Sequence, residues 1–203
     1  RHPRENRYLG AEHDAEIAAL AAAAEPKFGA DTGGDSEAAL SPTPEQLRGL
    51  DVIVIDLQDV GSRYYTFVWT AVLVLRAAAK SGIETIVLDR PNPLGGSVVE
   101  GEPQRSGYRS FVGLCDVPVR HGMTIGELAR MCNVERNCKA DLTVIQVENW
   151  QRDMWLDQTG LPWTNPSPNM RTPVAAILYP GIGLLESALS VGRGTDTPFH
   201  WVG

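Results

Sequence analysis

The 203 residues suffice for one sizeable domain with its own core. An apolar fraction of 43% and a charged fraction of 21% are those of a soluble globular protein. A net charge of −7 and a pI near 5.1 argue against a nucleic-acid partner, and no apolar run approaches the roughly 18 residues of a membrane span.

In chain order, residues 1–50 form an atypical segment rich in Ala, Glu and Gly and poor in β-branched and aromatic residues. Ala15 to Glu25 predicts a helix ended by Pro26, Asp31 to Pro44 a loop, and Pro44 to Leu50 a short helix. Val52-Ile53-Val54-Ile55 opens a strand over 52–57, apolar at every position and so expected to be buried on both faces of a parallel sheet. Thr66 to Lys80 is apolar at helical spacing, with Ser81-Gly82 as its stop. Ile83 to Leu88 reads as the second strand. Thr124-Ile125-Gly126-Glu127 is a capping box ahead of a helix with Ile125, Leu128, Ala129 and Cys132 on one face. Leu142 to Val147 is a third strand, Ala175 to Leu178 a fourth, and Leu184 to Leu189 a short helix. Strand and helix alternating with short joints predict a doubly wound α/β domain over 51–203. Cys115, Cys132 and Cys138 lack CxxC spacing and are expected as buried free thiols. The chain opens on Arg1 without a signal peptide.

In open α/β sheets, ligands bind beyond the carboxyl ends of the strands. The first strand ends there in Asp56-Leu57-Gln58-Asp59-Val60-Gly61-Ser62-Arg63-Tyr64-Tyr65. A carboxylate in that stretch suits a general acid, a base or an orienter of hydroxyls, and Arg63 suits a bidentate fork on a substrate carboxylate. An Asp–Arg pair bracing a loop, with the tyrosines packed on the sheet, fits the same residues, and both readings stay open. Asp89-Arg90-Pro91-Asn92-Pro93 is a proline-stiffened turn that either holds Asp89 and Asn92 for function or is purely structural. His121, before the capped helix, suits hydrogen bonding or acid–base work, and equally a satisfied structural histidine. Glu127 belongs to the cap. Trp150, Trp155 and Trp163 lie close together, and tryptophans stack on sugar rings or fill cores. Gly181-Ile182-Gly183-Leu184-Leu185-Glu186 places Glu where a dinucleotide loop needs its third glycine, so no nucleotide cofactor is expected. No metal-ligand spacing and no GxSxG elbow occur.

The segments LQDVGSRYYTF, VLDRPNPLGG, VEGEP, SFVG, PVRHGMTIGELA, WTNPSPNM, LYPG and GRGTDTPF, with the tryptophan-flanked RDM segment between them, run from Leu57 to Phe199 within a resemblance over roughly residues 43–199. In that order they resemble the exo-β-N-acetylmuramidases related to NamZ and YbbC. The resemblance implies a Rossmann-like sheet flanked by helices without a nucleotide. It also implies a glycoside hydrolase that removes N-acetylmuramic acid from the non-reducing end of peptidoglycan fragments, in the cell envelope or outside the cell. It implies a chain lacking the family's upstream first strand and its C-terminal domain.

Carried over, Asp59, Tyr65 and His121 become catalytic candidates, and Gln58, Arg63, Asp89, Arg90, Asn92 and Asn169 candidates for substrate binding. Glu12 is the candidate acid, in Ala11-Glu12-His13-Asp14, where the family has Pro-Glu-His-Gly. Arg63 is the expected partner of the lactyl carboxylate, a charge that glucosamine lacks. A non-catalytic sugar-binding domain of the same fold is the rival expectation.

Overall fold

A computed structural model describes residues 40–203. Its centre is a sheet of three parallel strands, β1 (Val52–Ile55), β2 (Glu84–Leu88) and β3 (Leu142–Ile145), in the order β1-β2-β3. Helix α1 (Phe67–Ser81) joins β1 to β2, and helix α2 (Ile125–Glu135) precedes β3. The strands advance in one direction across the sheet. Right-handed crossovers then place both helices on one face. Register aligns Ile53 with Thr85 and Leu142, and Ile55 with Val87 and Val144. That face meets Val68, Val72, Leu73 and Leu75 of α1 and Ile125, Leu128 and Cys132 of α2 in one continuous core.

The other face departs from the sequence expectation. Val52 and Val54 are 39% and 41% exposed and Ile145 is 53% exposed, so β1 is covered on one side only among the described residues. A run apolar at every position records that both faces avoid charge. It does not record which neighbour covers each face.

α1 ends where the sequence predicts. Gly82 takes a left-handed conformation at φ 68°, and its N–H reaches the Ala78 and Ala79 carbonyls. The capping box of α2 forms in full, Thr124 Oγ1 accepting from the Glu127 N–H and the Glu127 carboxylate from the Thr124 N–H. β1 and β3 are two residues shorter than expected, each ending at the fourth residue of its run.

The expected fourth strand at Ala175 to Leu178 is instead part of helix α3 (Pro173–Ile182). Thr172 accepts from the Ala175 N–H at 3.1 Å, and Pro173 supplies a preset φ at the first helical position. Those two residues outweigh a four-residue apolar run, which by itself does not separate strand from helix. The short helix expected at Leu184 to Leu189 reduces to a 3-10 turn, Gly183–Leu185, that continues α3. Two cysteines also depart from expectation. The sulfurs of Cys115 and Cys132 are joined as a disulfide between the loop before α2 and α2 itself, and Cys138 is a buried thiol outside that bond. The predicted helix at Ala15 to Glu25 and the candidate acid Glu12 lie outside the described residues.

A second core sits over the carboxyl end of β1. Val60, Tyr65, Met170, Ala175, Ala176, Tyr179 and Phe199 bury one another there. The polar tip of β1 is thus clamped between two hydrophobic clusters.

Candidate functional site

Three chain segments meet at the carboxyl ends of β1 and β2, the region where open α/β sheets place ligands. The first is the β1 tip. Gly61 turns the chain at φ 81°, and its N–H donates to Asp59 Oδ2 at 2.8 Å. This bond holds the Asp59 side chain inward and only 5% exposed. The second is the β2 turn, where Asn92 is buried. The third is the stretch before α2, where His121 is also buried.

His121 faces Asp59. Its Nε2 lies 3.3 Å from Asp59 Oδ2, within ion-pair distance but not aligned as a hydrogen bond. Its Nδ1 accepts from the Met123 N–H at 3.2 Å. An imidazole nitrogen that accepts cannot carry the proton, so the proton of the neutral ring sits on Nε2, toward the carboxylate. Asp59 Oδ2 is held by Gly61 and faced by His121, while Oδ1 is buried with no partner among the described residues. A buried carboxylate oxygen without a partner is uncommon and marks a place where a ligand or water belongs.

The other candidates are placed as follows. Gln58 Nε2 donates to the Asp59 and Pro91 carbonyls and ties the β1 tip to the β2 turn. Arg90 Nε pairs with Asp56 Oδ1 at 2.6 Å across the same two tips, the Asp–Arg brace that the sequence allowed. Asp89 accepts from the Gly126 and Arg90 N–H groups and from Thr124 Oγ1. Its carboxylate therefore caps the start of α2, although burial pushes its pKa up against those bonds. Gly126 permits this approach, since a Cβ there would lie 2.7 Å from the Asp89 carboxyl carbon and 2.6 Å from Val144. Asn92 Nδ2 donates to the Met123 carbonyl and its Oδ1 accepts from the Leu94 N–H, both at 2.9 Å. Arg63 Nη1 donates to the Glu102 and Val117 carbonyls and closes the neck of the loop between them. Burial lowers the Arg63 pKa, yet a guanidinium remains charged. Its Nε and Nη2 have no protein partner among the described residues. Asn169 is half-buried beside Met170, whose side chain packs in the second core.

Tyr65 lies buried between Phe67 and Tyr179, with ring centroids 4.9 and 5.9 Å away. Tyr179 was not singled out by the sequence. It packs edge-on against Tyr64, Tyr65 and Phe199, and burial pushes its phenol well up, with Glu186, Tyr64 and the Asp59 charge adding to the rise. Its signal lay in the LYPG segment, immediately after the stretch read as strand. Of the three tryptophans, Trp163 donates its Nε1 to the Met170 carbonyl, and the Arg120 guanidinium sits 5.2 Å above the Trp155 ring. Among the described residues no group of His, Cys, Asp and Glu is placed to hold a metal ion, and no helix is long and apolar enough to cross a membrane.

Comparison with known proteins follows this geometry. The family model for exo-beta-N-acetylmuramidase NamZ, N-terminal, matches residues 15–174, and the one for its C-terminal part matches residues 177–203. Over 163 residues the chain is 48% identical to the peptidoglycan beta-N-acetylmuramidase NamZ of Bacillus subtilis strain 168, covering 80% of this chain and 39% of that protein. Two solved DUF1343 family proteins from Bacteroides fragilis share the fold. One superposes with a TM-score of 0.75 at 40% identity, covering 84% of this chain and 44% of its own. The other gives 0.69 at 38% identity, covering 78% and 45%. The chain thus spans under half the length of these relatives.

Proposed function

We propose, for a chain that belongs to the exo-β-N-acetylmuramidase NamZ family, that it carries the active-site wall of a glycoside hydrolase. The reaction is release of N-acetylmuramic acid from the non-reducing end of peptidoglycan fragments, in the envelope or outside the cell. The observation that supports this best is the buried Asp59–His121 pair at the sheet's carboxyl edge, with Asp59 Oδ1 left without a partner among the described residues.

Glycoside cleavage passes through an oxocarbenium-like transition state flanked by two acidic groups. Asp59 takes one of these roles through Oδ1, because Oδ2 is held by the Gly61 N–H. Glu12 is the proposed second group. His121 supports Asp59 from the protein side and Tyr65 closes the pocket wall beside it. Arg63 meets the lactyl carboxylate through Nε and Nη2, while Nη1 stays on its two carbonyls. That division of labour selects muramic acid over glucosamine by charge. Gln58, Asp89, Arg90 and Asn92 shape the wall, since the polar atoms described above are engaged within the protein. Asn169 is the proposed contact from the opposite loop.

The test is hydrolysis of a chromogenic N-acetylmuramide alongside calorimetric titration of N-acetylmuramic acid on the same sample. Turnover together with binding supports the reading. Binding without turnover selects a non-catalytic sugar-binding domain, and neither result sinks both.

A further inference from the structure

We infer that Asn92 is the positioning residue of this site, the group that fixes the tautomer of His121 and the register between His121 and Asp59. The inference rests on the reading of Asp59 and His121 as the reacting wall, and it moves Asn92 from contact with substrate to control of that pair.

Asn92 touches both halves of the pair through their backbone supports. On the His121 side, its Nδ2 donates to the Met123 carbonyl at 2.9 Å. The N–H of the same Met123 donates to His121 Nδ1. Both polar backbone groups of Met123 are therefore taken, one by Asn92 and one by the imidazole. On the Asp59 side, the amide packs against Gly61, with Oδ1 nearest. A Cβ on Gly61 would fall 2.5 Å from Asn92 Oδ1 and 3.2 Å from its Cγ and Nδ2. Gly61 is the residue whose N–H holds Asp59 Oδ2. Asn92 Oδ1 is itself fixed by the Leu94 N–H, so the amide has one orientation.

The chemistry follows from donor and acceptor identity. With the Met123 N–H aimed at Nδ1, the ring keeps its proton on Nε2, facing the carboxylate. If Met123 rotates, Nδ1 is released and either nitrogen can hold the proton. The Asn92 amide supplies a donor to the Met123 carbonyl and an acceptor to the Leu94 N–H from one planar group, whereas an ionised carboxylate supplies no donor. Asp59 and His121 come from segments more than fifty residues apart, and Asn92 is the side chain that contacts the backbone supporting each.

Nitrogen-15 NMR of the imidazole ring reads the tautomer without any need for turnover, with the His121 signals assigned by their loss in His121→Gln. In the wild-type chain the expected result is a single neutral tautomer, Nδ1 as acceptor and Nε2 protonated. A wild-type ring protonated on Nδ1 overturns the inference at once. Asn92→Asp keeps the shape but removes the donor, and its ring should lose the single-tautomer pattern. Gly61→Ala should give the same loss without altering Asn92, because the new Cβ must displace the amide. If one variant does not fold, the other is read. If neither folds, the wild-type ring decides: the Nε2-protonated form supports the inference and the Nδ1-protonated form overturns it. An unchanged tautomer in either folded variant overturns the inference. Where the wild-type chain turns over substrate, Asn92→Asp should also lower kcat about 100-fold, the low end of what general acid–base catalysis contributes, with KM within about twofold. Absence of turnover in wild type would count against the glycosidase reading and leave the tautomer result standing.

Discussion

Replacing Asp59 separates its structural from its chemical role, because its two oxygens do different things. Oδ2 accepts from the Gly61 N–H at 2.8 Å inside the protein, whereas Oδ1 has no partner among the described residues. Asn at this position must turn its one oxygen toward Gly61, which places the NH2 where Oδ1 stood. The Gly61 bond survives in neutral form, a loss of about 1 kcal/mol. Ala leaves that N–H without an acceptor in a buried site, a cost of about 1–3 kcal/mol, and opens a small void as well. Activity should not follow that ranking. Both variants remove the free oxygen, so each should lose turnover by roughly 10²–10⁴-fold, the range of a positioned acid–base group. Chromogenic N-acetylmuramide hydrolysis and urea denaturation on the same samples measure the two effects. Full turnover in Asp59→Asn would refute the assignment of Oδ1. Equal destabilisation of the Asn and Ala variants would refute the division of labour between the oxygens.

Other consequences can be checked in parallel. Burial is the main cause that raises the phenols of Tyr64 and Tyr179 above their ordinary value near 10. A group raised in the folded state contributes stability below its unfolded pKa and loses it as pH climbs, so stability should fall from about pH 10 upward. Phenolate absorbance of Tyr179, the more deeply buried of the two, should appear only with unfolding, and its smooth titration in the folded chain would contradict this. Asp89, raised mainly by burial, obeys the same rule one range lower. Stability should decline as pH rises from 3.8 through its higher folded value, and Asp89→Asn should flatten that decline in thermal melts. The disulfide closes a loop with a sequence separation of 17, so reduction should lower stability by about 3 kcal/mol, read by urea titration with and without reductant. No difference between the two titrations would show that the bond is not formed. Arg63→Lys keeps the positive charge but loses the planar fork. It should weaken N-acetylmuramic acid binding about tenfold and leave N-acetylglucosamine binding unchanged, by calorimetry.

What the sequence could convey about this site depended on the range of each interaction. The α2 cap was legible because its partners, Thr124 and Glu127, are three residues apart. The stop of α1 was legible in Gly82 for the same reason. The apolar run of β1 announced a strand, but its uncovered face did not follow, because coverage depends on segments elsewhere in the chain. Within α3 the deciding signal, Thr172-Pro173, sat just outside the apolar run, so the run alone misled. Tyr179 went unread with it.

The site shows the same limit more sharply. Asp59, Arg63 and His121 were each visible as chemistry-bearing residues in turn-rich sequence. Residues alone left open whether Asp89 and Asn92 contact a ligand or support the turn. Their bonds to Gly126 and Met123 cross 37 and 31 positions. Those bonds direct both side chains into the protein and favour the supporting reading. A polar residue at a strand tip is thus a site candidate by position, and its hydrogen-bond ledger decides the role. Asp59 keeps an unbonded oxygen among the described residues, while each Asn92 side-chain polar atom has a protein partner, a difference that supports the proposed roles of Asp59 in substrate chemistry and Asn92 in geometry.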